Sequence, residues 1–205
     1  MRTVFERTFC RREYIGRGFN VLWAIACMQL CLCIAPIKQF YADTFYPEDN
    51  VYENEGLGFV LRFRGNWSIV TDPEQMNKHY KAFAQNMQNA GGELLFMGST
   101  VEGLYGVKAI ALNLNEPPDE YAHYIRELNI NEIDSDSEPI DFIAGDHIMA
   151  KWIYDKSGYR FVEFFFVVGT YDIRLSFWTK PDLFNNFLSV FEDIVSSFSL
   201  TADFK

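Results

Sequence analysis

Three histidines, His79, His123 and His147, are the first side chains to test for metal chemistry. A zinc site needs three or four converging ligands. His79 and His123 fall on separate predicted helices, and no H-x-x-x-H or cysteine pair accompanies them. They read as surface or capping residues. Five carboxylates crowd one stretch: Glu132, Asp134, Asp136, Glu138 and Asp141. Such an oxygen-rich run could hold a hard cation such as calcium. It lacks the glycine and closing glutamate of an EF-hand loop, and reads instead as a solvated acidic loop. Lys151, Glu163 and Arg174 lie on three successive predicted strands, where they form a cross-strand charge ladder or line a polar groove. No serine sits in a nucleophile elbow, no glycine-rich phosphate loop precedes a helix, and no cysteine follows residue 33. The expectation is a non-enzymatic protein with no cofactor and no metal.

Binding is the chemistry left to consider. Aromatic side chains at a sheet rim anchor protein partners, which makes Trp67, Trp152 and Trp178 candidates for a partner surface. The competing reading is that they fill the core of a chain holding 20 Phe, 11 Tyr and 4 Trp.

Charge and hydropathy divide the chain. Arg2, Arg7, Arg11, Arg12 and Arg17 precede an apolar run from Phe19 to Ala35, and all four cysteines (Cys10, Cys27, Cys31, Cys33) lie before residue 34. A basic front with a long apolar run threads a chain into or across a membrane. Phe19, Leu22, Trp23, Ile25, Leu30, Leu32 and Ile34 are the expected membrane contacts. The run's length suits either a retained anchor or a cleaved signal. Arg11-Arg12 resembles a twin-arginine export signal, and Cys27 and Cys33 stand in lipobox-like settings. The arginines would stay cytoplasmic, placing the rest of the chain in the cell envelope: at the periplasmic face of a bacterial inner membrane, or released if the leader is cleaved.

The whole chain carries 18 basic and 28 acidic residues. Removing the six basic and two acidic residues of the first 42 leaves 12 against 26, a net of −14. Such a domain repels phosphate backbones and anionic lipid, so no nucleic acid partner is expected.

Residues 1–42 therefore read as a signal or anchor segment, 43–56 as a linker and 57–205 as one domain. Gly58–Phe63 and Trp67–Val70 read as strands. Thr71-Asp72-Pro73 reads as a helix start, with Met76, Tyr80, Phe83 and Met87 facing inward. Strands over 93–100 and 104–114 follow. Pro117-Pro118 then opens a helix whose inward stripe is Tyr121, Ile125 and Leu128. Strands over 146–154, 159–168 and 171–179 make three in succession, the middle one apolar on both faces and so central. Lys180-Pro181-Asp182 starts a last helix with Phe184, Phe187, Phe191, Ile194 and Phe198 along one side.

The C-terminal pattern resembles the PsbP-like family. It is carried by Tyr159-Arg160-Phe161 through Phe166, then Tyr171, Ile173, Leu175 and Phe177, then Pro181 and a phenylalanine-rich helix closing on Val195-Ser196-Ser197-Phe198. Near the front, Gly58–Phe63 and Trp67 are similar to the family's opening strand and tryptophan. The fold group includes Mog-type Ran-binding proteins and DcrB-type bacterial exported proteins. The resemblance implies an α+β fold, with an antiparallel sheet sandwiched by helices (α/β/α). It also implies a binding, assembly or envelope-maintenance factor with a protein partner at an extracytoplasmic membrane face. The other reading is a carrier of a small apolar ligand or lipid.

Overall fold

Two antiparallel sheets and three helices organise residues 43–201, the part of the chain that the computed structural model describes. The expected membrane contacts Phe19, Leu22, Trp23, Ile25, Leu30, Leu32 and Ile34 lie outside the described residues. Among the described residues no helix is long and apolar enough to cross a membrane.

The smaller sheet has the order β1 (Asp43–Tyr46), β2 (Val51–Asn54), β3 (Phe59–Arg62), β12 (Ser199–Leu200). The larger runs β4 (Trp67–Val70), β5 (Glu93–Thr100), β6 (Tyr105–Leu112), β11 (Tyr171–Thr179), β10 (Tyr159–Val168), β9 (His147–Lys156). Short β7 (Ser135–Asp136) and β8 (Ile140–Ala144) both pair with the outer side of β9. Helices α1 (Lys78–Asn89) and α2 (Pro118–Asn129) cover one face of the larger sheet. Helix α3 (Phe184–Ser196) and the smaller sheet cover the other. The fold is α+β with helices on both sides of an antiparallel sheet, and one outer layer contains a second sheet.

The β9–β10–β11 meander follows from alternation. On β10, Val162, Phe164, Phe166 and Val168 face α3 and the smaller sheet, while Glu163 and Phe165 face α2. Both sides of β10 are thus covered, as its unbroken apolar run predicts. The Ser157-Gly158 turn joining β9 to β10 has φ of 53° and 75°, the left-handed pair that a two-residue hairpin requires. On α3 the buried residues are Phe184, Phe191, Ile194 and Val195, and Phe191 stacks on Phe177 of β11 at 4.8 Å.

Three expectations change. Residues 43–56 form the β1–β2 hairpin rather than a linker, because Tyr52 and Asn54 point inward. The Tyr52 ring lies 4.4 Å from Phe96, and its hydroxyl donates to Asp43 and accepts from Asn54. Helix α1 starts at Lys78: Asp72 caps only a 3-10 turn (Pro73–Gln75), and the Asn77 side chain accepts from the amides of His79 and Tyr80. The acidic stretch after α2 is partly strand, with Ile140–Ala144 paired along β9.

Candidate functional site

Cross-strand register builds the floor of a groove. Ser68, Ser99, Gly106, Trp178, Phe161 and Tyr154 form one row across β4, β5, β6, β11, β10 and β9. The next row is Val70, Met97, Lys108, Ser176, Glu163 and Trp152. Over the β4 end of these rows opens a cavity of about 390 Å³. Its far wall is the start of α1, with Met76, Asn77 and Tyr80, and its lip carries Leu104, Tyr105 and Tyr159. The lining holds hydroxyls, thioethers and aromatic rings, but no carboxylate, imidazole, amine or thiol.

Trp178 shapes this floor. A β-carbon at Gly106 would lie 2.3 Å from indole Cζ2 and 2.4 Å from Cε2, so only glycine lets the ring lie across β6. At the rim, the Lys180 ammonium sits 3.9 Å above the Tyr159 ring, a cation–π contact beside the opening. Thr179 donates to the Leu104 carbonyl at 2.8 Å and pins the lip to β11.

Beyond the groove the second row becomes charged. Glu163 is fully buried, and accepts from Arg174 Nε and Nη2 at 2.7 Å each, and from the Tyr154 and Ser176 hydroxyls at 2.9 Å each. Burial alone would raise its carboxyl pKa. The Arg174 charge and hydrogen bonds outweigh burial and hold it below its usual value. Burial likewise acts to lower the pKa of Arg174, and the Glu163 carboxylate reverses this, so the guanidinium stays charged. Lys108 is half-buried, with Nζ 5.2 Å from the Phe83 ring centre. Burial first, then the like charge of Arg174, lowers its amine to about 8. From α2, Tyr121 presses edge-on against Phe165 at 5.2 Å. Its buried hydroxyl has no hydrogen-bond partner.

The tryptophans expected at a partner surface divide. Trp67 is 5% exposed and Trp152 0%, so neither offers a face to a partner. Their indole N–H groups donate to the Arg64 and Ser137 carbonyls, which permits that burial. Only Trp178 meets open space. The expected ladder of Lys151, Glu163 and Arg174 also divides. Lys151 stands opposite Phe164, on the α3 face, and pairs with Glu192 at 3.1 Å. Lys108 occupies the Glu163 face instead. Hairpin parity alone would have separated Lys151 from Glu163; no sequence signal brought Lys108 to Arg174, because β6 and β11 are far apart along the chain.

The acidic stretch is distributed among cations. Glu132 pairs with Lys156, Asp136 and Glu138 pair with Arg126, and Asp134 accepts from the Ser157 amide. Among the described residues no group of three or more His, Cys, Asp or Glu side chains is arranged to hold a metal. His147 packs edge-on against Phe198 at 4.8 Å, and His79 and His123 are exposed on α1 and α2.

No protein-family model matches the chain, and no curated protein matches its sequence. Among solved structures it is similar to the solution structure of cyanobacterial PsbP (CyanoP) from Synechocystis sp. PCC 6803. The identity is 11% and the TM-score 0.44, over 78% of this chain and 92% of that one. It is also similar to a crystal structure from Bacteroides thetaiotaomicron VPI-5482, at 12% identity and a TM-score of 0.42 over 80% of this chain. That match spans 49% of the Bacteroides chain.

Proposed function

We propose that this chain is a non-enzymatic PsbP-like binding domain, exported or tethered by its N-terminal segment. It takes a segment of a protein partner into the groove over Trp178, at the periplasmic face of a bacterial inner membrane. The observation that carries this reading is the groove lining. Indole, phenol, thioether and hydroxyl groups suit the capture of a side chain, and no carboxylate, imidazole, amine or thiol lines the same space. The arginine-fronted apolar run supports the membrane address.

A second reading, a carrier of a small apolar ligand, draws on the groove volume of about 390 Å³, which lies within the range of small-molecule sites. Purification of the full chain in mild detergent separates the two. A stoichiometric protein partner that Trp178→Ala releases supports the binding domain. A small molecule seen by native mass spectrometry and lost in the same variant supports the carrier. Retention of a partner by Trp178→Ala moves the binding site elsewhere.

A further inference from the structure

Strand β8 is the outer edge of the larger sheet at the end opposite the groove. It meets β9 through a two-residue turn with Gly145 first, at φ 59°. Such a turn makes Ala144 and His147 a pair that exchanges both main-chain hydrogen bonds. The antiparallel ladder repeats that pairing at Phe142–Met149 and Ile140–Lys151. The same parity holds farther along β9, where the Ile153 and Asp155 carbonyls accept from the Ser137 and Asp134 amides. Asp141 and Ile143 are therefore the residues whose N–H and C=O groups point away from β9. None of these four groups has a hydrogen-bond partner among the described residues.

The side chains at this edge carry a second signal. Ile143 is 70% exposed and Ile148, directly opposite it on β9, 69%. Two large apolar side chains standing together in water beside an unpaired edge mark an interaction surface. Charge narrows the occupant. Asp136 and Glu138, just before β8, are held by Arg126, and Lys151, opposite Ile140, is held by Glu192. Asp141 and Asp146 are exposed and make no ion pair among the described residues. We propose that β8 receives an extended segment of a protein partner as an added antiparallel strand, read as an apolar residue, any residue, then lysine or arginine. The apolar residue stands opposite Ile143 and covers Ile148; the cation stands opposite Asp141. The spacing of two follows from side-chain alternation. A second copy of this chain fits less well, because two-fold pairing about Phe142 sets Asp141 opposite Ile143 and brings no cation to either carboxylate.

The test is amide hydrogen exchange on the full chain in detergent, with the probe peptide Ac-Thr-Val-Thr-Lys-Thr-amide at millimolar concentration. Slowed exchange is expected at Asp141 and Ile143, with Phe142 unchanged because β9 already holds its amide. The same peptide N-methylated at valine and lysine should give no protection, and one with glutamate for lysine should bind about fivefold more weakly. Asp141→Lys should reverse that preference, and Trp178→Ala should leave the protection intact. Several outcomes overturn the proposal. One is no protection by the lysine peptide, which leaves Asp141 only a guard against edge pairing. Others are equal protection by the N-methylated peptide, an unchanged preference in Asp141→Lys, and loss of protection in Trp178→Ala. Protection without peptide, together with a doubled molar mass in light scattering, assigns the edge to a second copy and likewise overturns it.

Discussion

Glu163 and Arg174 are diagonal neighbours on β10 and β11, joined by two hydrogen bonds of 2.7 Å with the carboxylate fully buried. Removing one partner of such a pair leaves the other charge uncompensated, at a cost of about 3–5 kcal/mol. Glu163→Gln is therefore expected to lower unfolding free energy by roughly 3 kcal/mol in urea at neutral pH. The Glu163 pKa is depressed in the folded state. Its contribution is present above the unfolded glutamate value and is lost as pH falls through the lower folded value. The gap between wild type and Glu163→Gln should close as pH falls below about 4.

Lys108 gives the opposite pH signature. Its folded value of about 8 lies below that of an unfolded lysine, so the unfolded chain binds more protons between the two values. Stability should rise with pH across that window, from about 8 toward 10. Above it, the buried hydroxyls of Tyr52, Tyr121 and Tyr154, whose pKa values are raised first by burial, reverse the trend. Urea unfolding at a series of alkaline pH values checks this. Lys108→Met should abolish the rise and keep the fall.

Gly106 exists for Trp178. In Gly106→Ala the new methyl overlaps the indole, so the ring must leave its place over β6. Overpacking of this kind costs about 1–3 kcal/mol. The expected readouts are a lower unfolding midpoint, a shifted tryptophan fluorescence maximum and loss of partner binding. An unchanged emission spectrum would show that the ring does not lie where the groove needs it.

Asp172 organises the approach to α2. Buried on β11, it accepts from the amides of Leu114 and Asn115 through Oδ2 and of Glu116 through Oδ1. Asp172→Ala strands these donors, at about 2–3 kcal/mol. Hydrogen exchange at residues 114–116 should accelerate more than exchange in β10.

Much of this architecture was legible because it is local. The β10 boundaries follow from an apolar run between Gly158 and Gly169, those of β11 from alternation between Gly169 and Pro181, and Pro118 opens α2 as its ring geometry allows. What stayed hidden depends on contacts distant along the chain. The β1 and β2 strands are four residues each, too short for a periodic signal; Tyr52 declares its direction only when Phe96 receives it. Asp72 reads as a helix cap, and only the fold shows that Asn77 takes that role for α1. The groove is harder still. Its floor is a register row drawing one residue from each of several strands, and its width depends on Gly106 having no side chain.

The central claim is that the groove over Trp178 receives a protein partner outside the cytoplasm. A photo-crosslinking residue at Leu104, which is 45% exposed at the groove lip, tests it most directly in intact cells. The account predicts one discrete protein adduct in the membrane fraction that disappears when Trp178→Ala is added. No adduct from Leu104, or one that persists without the indole, would contradict it.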